Sequence, residues 1–552
     1  MKSLLNYFKL LISSTILIFV SANVFAQDWV YTVVEGDNLW NLSKQHLDKV
    51  TRFEQIRKLN DISDPKLLPP GTRIRIPLKW IRSNSVPAQI HSIDGVSELL
   101  RANTQNSQPL HLGSMLYLGD EIRTSNQSTI AIKFADETIL TIHENSLVRF
   151  DHLSAHGVTG MVDTRLNILK GRTDTKVTPA VGPGSRFEIQ TPSAISSVRG
   201  TIYRTSVSEN GKASNIEVLR GKVAVSGANE QQLVNAGYGT QVVANSPPLP
   251  PRPLLAAPLF DTIPKTIEQI KWRVSWSEIQ DAVSYRIELA NNAKFDTLIW
   301  QDVTQYRKTT LPDIPDGNYS LRVRAIDSLG IEGLNQDKQV IINAYPQPPV
   351  ALKPIDSEVL RGQTPILQWT GSENASNYHL EIATDINFEH IAFDKKGIIE
   401  TYYKPTALTK NGHYYWRLSS IASDGEQGPT GPIRSYQIKP IPAKVEATVS
   451  AEDDGLLVAS WRPSLNEYKY KVQIANNKSF TNIVIDELVT KPRLALDPIK
   501  GTTRYLRVKS IEEDGYEGPW GTTQSIAPLP DDELNYWPLA IGTIFTLLKV
   551  LL

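Results

Sequence analysis

The sequence predicts a multi-domain, mainly β protein, and three observations carry that expectation. At 552 residues the chain is too long for one hydrophobic core. Short runs of alternating apolar and polar residues recur along it, bounded by Gly, Asn and Asp. Trp276, Trp369 and Trp461 lie 93 and 92 residues apart, which marks a unit repeated three times. The expected architecture is a small α+β module of strand–helix–helix–strand order, an all-β domain, three β-sandwiches and a C-terminal apolar helix.

Composition narrows the function classes. Lys+Arg and Asp+Glu both total 58, so no global field recruits nucleic acid, and no nucleic-acid partner is expected. The chain has no cysteine, which excludes disulfides and a lipidated-cysteine anchor; each domain must be held by its own core.

Residues 1–26 read as a secretion signal. Lys2 and Lys9 flank a polar start, Leu10–Val20 is mostly apolar, and Val24-Phe25-Ala26 provides a cleavage site before Gln27. The apolar core is too short for an ordinary membrane span.

Residues 27–80 form the first module. Tyr31–Val34 alternates as a strand, with Tyr31 and Val33 on one face. Glu35-Gly36-Asp37-Asn38 turns the chain, and Asp37 or Asn38 caps a helix starting at Leu39. Leu39 and Leu42 face inward. Phe53, Ile56 and Leu59-Asn60 form a second short helix, Leu68-Pro69-Pro70-Gly71 breaks the chain, and Arg73–Ile76 alternates as a second strand. Tyr31, Val33, Gly36, Asp37, Asn38, Leu39 and Trp40, with Ile56, Asn60, Ile62, Leu68, Pro70, Gly71, Ile74, Ile76 and Pro77, resemble the LysM pattern. Asn38 stands where that family usually has Thr or Ser, and Asn caps equally well. The resemblance implies binding of N-acetylglucosamine-containing glycan, here peptidoglycan, in a groove between two turns. Carried over, Gly36, Asp37, Asn38 and Leu39 would face Asp61, Ile62 and Ser63. The same residues are also turn and cap residues in their own right.

Trp80–Gln108 is polar and reads as a connector into an all-β domain spanning residues 87–245. Thr129–Phe134 and Thr138–Ile142 alternate, and many short strands at intervals of about ten residues suit a solenoid, a sandwich or a barrel. Leu118–Thr124 precedes a strand pair ending at Asn145-Ser146. The run Thr191-Pro192-Ser193-Ala194-Ile195-Ser196-Ser197-Val198-Arg199-Gly200-Thr201 precedes Tyr203-Arg204 and a hairpin at Val218–Val223. These are similar to the FecR-type periplasmic domain over about 130 residues. The resemblance implies an extracytoplasmic domain that contacts an envelope protein. Where the regulator that names the family carries a cytoplasmic segment and a membrane helix, a cleavable leader is expected here, so its sigma-factor role is not expected to carry over. Arg199 either pairs within the scaffold or contacts a partner.

Residues 246–259 are proline-rich and predict a semi-rigid, extended spacer. The repeats follow at 260–345, 346–440 and 441–528. Each Trp is followed by a Tyr nine residues on (Tyr285, Tyr378, Tyr470), an Ala after fourteen and a Phe after nineteen (Phe295, Phe388, Phe480). Later strands begin at Tyr319, Tyr414 and, in the third repeat, Arg504. These repeats resemble fibronectin type III sandwiches, with a tyrosine corner in doubt where Arg504 stands. The Trp residues are expected to be core packing rather than a ligand platform.

Tyr536–Leu552 is apolar behind Asp531-Asp532-Glu533, and residues 534–552 read as an inner-membrane anchor with Lys549 at the far interface. No catalytic set is found. The nine histidines are scattered, the His152/His156 pair lacks a third metal ligand, and no phosphate loop or nucleophile elbow occurs. No cofactor, metal or enzymatic activity is expected. The sequence reads as a periplasmic cell-envelope protein that binds peptidoglycan and displays its FecR-like domain to a protein partner. Alternatives are a sensor acting through that domain, or a wall-remodelling factor targeted by LysM.

Overall fold

In the computed structural model the first module is built as its turn chemistry dictates. Strand β1 (Asp28–Thr32) pairs antiparallel with β2 (Arg73–Pro77), and helices α1 (Leu39–His46) and α2 (Phe53–Leu59) lie between them in sequence. Asn38, in extended backbone, caps α1 by accepting the Asn41 amide at 2.9 Å. Val33, Leu39, Leu42, Ile56, Ile74 and Ile76 form the core. The structure describes residues 28–104, 106–451, 456–463, 469–497, 499 and 501–528. The expected leader (1–26) and apolar tail (534–552) lie outside the described residues. Among the described residues, no helix is long and apolar enough to cross a membrane. The chain is a mainly β, multi-domain protein that divides into two units, Met1–Tyr345 and Pro346–Leu552.

The second domain is a two-sheet β structure around one core that includes Ile132, Leu140, Phe150, Ile168, Ile189 and Val225. Its sheets share one long strand, Val162–Lys176. Residues 162–170 of it pair with Leu147–His156, whereas residues 171–176 pair with Ile139–Ile142 and Ile202–Val207. The change of sheet falls at Gly171, whose φ is +94; a Cβ there would lie 2.5 Å from the Ser146 Cα, so no side chain fits. The polar connector expected over Trp80–Gln108 is instead built into the domains: Trp80 and Ile81 pack in the first module, and strands from Ser83 onward belong to this domain. Ala88–Asp94 and Ser97–Leu100 are strands that bury Ala88, Ile90 and Leu99. Gln89, His91 and Glu98 are the outward half of a period-2 pattern, whereas Ser97 is buried beside Leu99.

The proline-rich stretch is likewise not a spacer. Arg252–Pro253 pairs with Tyr238 and Gly239 at the sheet edge, the Leu254 amide donates to the Gly237 carbonyl at 2.9 Å, and Leu254 is buried. Proline suits this place because an edge strand needs no outward N–H. The chain then enters the first sandwich, which lies against the outer face of the same sheet. Gly239 permits the approach, since a Cβ there would lie 2.8 Å from a methyl of Ile331.

Between these two domains lies a buried ion cluster. Arg172, Asp174, Arg204 and Glu217 come from the second domain, and Arg286, Glu288, Arg324 and Glu332 from the first sandwich. Arg172 donates to Glu288 at 3.1 Å and to Gln301 at 3.0 Å. Arg324 pairs with Glu288 and, at 2.6 Å, with Glu332, which also holds Arg286 at 2.8 Å. Arg204 donates to the carbonyls of Glu332 and Gly333, both at 2.7 Å. Burial works to raise the Glu288 and Glu332 carboxyls, but the surrounding guanidiniums outweigh it, holding Glu288 at about 2 and Glu332 well below its ordinary value. Burial dominates at Glu217, pushed up to about 7 against the pull of Arg204.

The three repeats each pack two sheets around their tryptophan. In the first, Thr266–Ile267, Gln336–Ile342, Gly317–Ile326, Ser284–Ala290 and Trp300–Thr304 face the pair Arg273–Ser275 and Lys308–Thr310. Trp276, Trp369 and Trp461 meet Tyr285, Tyr378 and Tyr470 edge-on at 5.7, 5.7 and 5.3 Å. Tyr319 and Tyr414 form corners, donating to the Pro315 and Lys410 carbonyls at 2.8 and 3.0 Å; Arg504 replaces this hydroxyl in the third repeat. The repeated phenylalanines have a second role. Phe295, Phe388 and Phe480 all adopt positive φ, and Arg322, Arg417 and Arg507 lie over their rings at 3.7, 4.0 and 4.0 Å. Within the second unit, Arg361 joins the last two repeats by pairing with Glu512 and Asp514 and stacking on Tyr516.

Candidate functional site

The residues expected to border a glycan groove lie on the turn before α1 and the turn after α2. Gly36 has a φ of +90, is exposed, and has nothing within 4 Å of where a Cβ would stand. Asp37 closes the first turn, accepting the Tyr31 hydroxyl and the Val34 amide, both at 2.8 Å. Burial, reinforced by Asp37, pushes the Tyr31 phenol up to about 12. Asn60 fixes the second turn: its side-chain amide donates to Ile56 and Arg75 carbonyls, and its oxygen accepts the Arg75 amide at 2.7 Å. Asp61 then adopts a φ of +53, and the Ile62 amide closes onto the Arg57 carbonyl at 3.0 Å.

One hydrogen bond brings the two turns together, from the Leu39 amide to the Pro65 carbonyl at 2.9 Å. The seven expected residues divide by role. Leu39 is buried and its amide is engaged, so it holds the floor. Asp37 and Asn38 shape the first turn. Gly36, Asp61 and Ser63 are exposed, and the Asp61 and Ser63 side chains have no hydrogen-bond partner among the described residues. Ile62 is half-buried between them. Trp40, 53% exposed and 5.4 Å from the Phe53 ring, is a neighbour whose exposure the helical spacing alone did not single out.

The module does not stand alone. Met161 of the second domain is buried in its core, and the Gly184 amide donates to the Met161 sulfur at 3.3 Å. A Cβ on Gly182 would lie 2.8 Å from that sulfur and 3.9 Å from the Trp29 ring. Residues 178–185 thus form a loop between the two domains.

On its other side that loop meets the expected signature Thr191–Thr201. Thr191 ties its own turn, its hydroxyl accepting the Ala194 amide at 2.9 Å; Ala194 and Val198 enter the core. Thr201 donates to the Lys222 carbonyl of the following hairpin at 3.0 Å. Gly200, at a φ of +101, packs against the backbone of Pro179. Arg199 is exposed and forms no ion pair among the described residues, so pairing within the scaffold is not what this arginine does.

Of the histidines, His152 meets Ser154 at 2.9 Å rather than joining His156 in a ligand set. The structure does bring His379, Glu381 and Asp394 together across two strands, a convergence invisible in sequence because Asp394 lies on the neighbouring strand. Both Glu381 oxygens are already held by Arg417, at 2.9 and 3.1 Å.

Two family models match parts of the chain. Residues 31–77 match the LysM domain model and residues 120–224 match the FecR protein model. The chain therefore carries a LysM domain and a FecR domain, families that imply glycan binding and envelope signalling. Among solved structures, the chicken CNTN1 FN1–FN3 domains are 14% identical with a TM-score of 0.22, over 50% of this chain and 99% of that one. A candidate anti-sigma factor from Parabacteroides distasonis is 16% identical with a TM-score of 0.21, over 24% of this chain and 59% of that one.

Proposed function

We propose that this protein is a non-enzymatic component of the bacterial cell envelope that holds peptidoglycan through the Gly36–Leu39 and Asp61–Ser63 turns and offers its FecR domain to a protein partner. The observation that carries the reading is the joining of those turns at Leu39 and Pro65, with the polar groups of Asp61 and Ser63 left free beside an exposed Gly36 backbone. Peptidoglycan sugars present hydroxyl and acetamido groups, which such free acceptors and donors recognise. The first sandwich acts as part of the FecR unit, through the ion cluster. The sequence of 1–26 supports export to the periplasm, and that of 534–552 supports a second attachment, to the inner membrane.

The test is sedimentation of the full mature chain with purified sacculi. The wild type is expected to pellet, and Gly36→Trp, which fills the exposed turn and strains a positive φ, is expected to stay in solution. Undiminished pelleting of Gly36→Trp would overturn the site. Release of soluble fragments from the sacculi would instead favour a wall-remodelling enzyme.

A second reading, a sensor acting through the FecR domain, is favoured by the free guanidinium of Arg199.

A further inference from the structure

The loop at residues 178–185 and the end of the strand Ile195–Val198 enclose a cleft in the FecR domain. Val162, Val177, Phe187 and Val198 form a buried apolar floor, and Val181, 69% exposed, stands in the wall. Arg199 lies at the mouth. Of the other charged groups there, Arg186 is paired with Glu188, and one oxygen of the Asp136 carboxylate accepts the Thr138 amide at 3.1 Å. Arg199 is thus the guanidinium at this cleft without a carboxylate partner among the described residues.

We propose that this cleft is a docking site for an extended protein segment carrying an aspartate or glutamate beside a valine- or leucine-sized side chain. The carboxylate would take the Arg199 fork in a bidentate pair, and the apolar side chain would cover Val181 and enter between it and the floor. Charge complementarity selects the occupant. A guanidinium with a free fork beside an apolar floor gains most from a carboxylate held in the same extended chain as an apolar anchor, and arginine is among the residues that dominate such contacts. The site is preorganised, which lowers the ordering cost of binding. Gly200 fixes the mouth by packing on Pro179, where a Cβ would lie 2.9 Å from the Pro179 Cα. Gly182 and Gly184 back the loop onto Met161, and through it onto the LysM core. The shared loop also places the partner segment beside the wall-binding module. This inference rests on the reading of the FecR domain as a protein-contacting domain and is independent of the glycan groove.

The experiment presents the full mature chain, alongside Arg199→Glu and Val181→Asp, to a displayed library of random octapeptides. The wild type is expected to enrich peptides with Asp or Glu next to Val, Ile or Leu at least tenfold over their starting frequency. Arg199→Glu should reverse the charge preference to Lys or Arg, and Val181→Asp should abolish the apolar one. Thermal unfolding of each variant controls for folding: both substituted residues are exposed, so the unfolding midpoint and wall binding should both persist. The proposal is overturned if the wild type enriches no acidic–apolar motif, or if Arg199→Glu enriches the same peptides as the wild type. Because sacculus binding is read separately, its loss or retention bears on the glycan site alone.

Discussion

Arg172 of the FecR domain donates to Glu288 of the first sandwich at 3.1 Å, across 116 residues of sequence. Both are buried, and Glu288 is shared with Arg324, which has no exposed surface. A pair of this kind is costly to desolvate, so its value lies in what happens when one member is lost. The contact makes these two domains one mechanical body rather than successive beads.

Removing Glu288 should therefore be severe. Glu288→Ala leaves Arg172 and Arg324 without their shared carboxylate, and breaking a buried pair from one side costs about 3–5 kcal/mol. Urea unfolding of the 28–345 region should lose stability by that order. A loss under about 1 kcal/mol would mean that water reaches the cluster freely.

The cluster should also make stability depend on pH. Burial raises Glu217 from 4.5 to about 7 in the folded state. Between those values the folded state holds a proton that the unfolded state has released, so the Glu217 contribution is present in full below about pH 4.5 and is lost as pH rises towards 7. His143, buried and held below its ordinary 6.5, acts in the opposite sense over part of that window. The Glu217 effect is therefore read as a difference. Relative to wild type, Glu217→Gln should gain stability as pH rises from 5 to 7, and parallel pH profiles would contradict the assignment.

Met161 should stabilise a domain to which it does not belong in sequence. Met161→Ala removes a buried side chain from the LysM core, at a cost of about 2–5 kcal/mol. Hydrogen exchange should show faster opening of amides in Leu39–His46, and wild-type protection there would show that the contact carries no stability.

The middle sandwich should be sensitive at its tryptophan. Trp369→Ala should cost about 3–5 kcal/mol in thermal or urea unfolding of the second unit. Sacculus binding by the first unit should be unchanged, because the lost packing is local to a core of Leu367, Tyr378, Leu380, Tyr414 and Trp416.

Much of the candidate site was legible because it depends on local rules. Gly36 at positive φ, Asn38 as a cap and the breaker at Pro69-Pro70-Gly71 act over a few residues, so their types and order announce them. Trp40 was less legible, since its exposure depends on how Phe53 meets it from a second helix. The freedom of Arg199 was not legible at all, because a guanidinium finds its partners in space.

The sequence by itself determined the β character, the strand–helix–helix–strand module and the threefold repeat, since period-2 alternation and turn residues act within a strand and its neighbour. The nine-residue spacing also marked each Trp with a partner Tyr strand; that the two rings meet edge-on came from the packing. Only the tertiary structure decided which faces meet. Nothing in the local pattern distinguishes Arg172, Arg204 and Glu288 from ordinary outward-facing strand residues, or Glu332 from an ordinary loop acid; they are buried because the FecR sheet and the first sandwich cover each other. The proline-rich stretch became an edge strand for the same reason, and Met161 entered a neighbouring core. Burial of a sheet's outer face is a property of docking, and docking is set by complementary surfaces that lie more than a hundred residues apart.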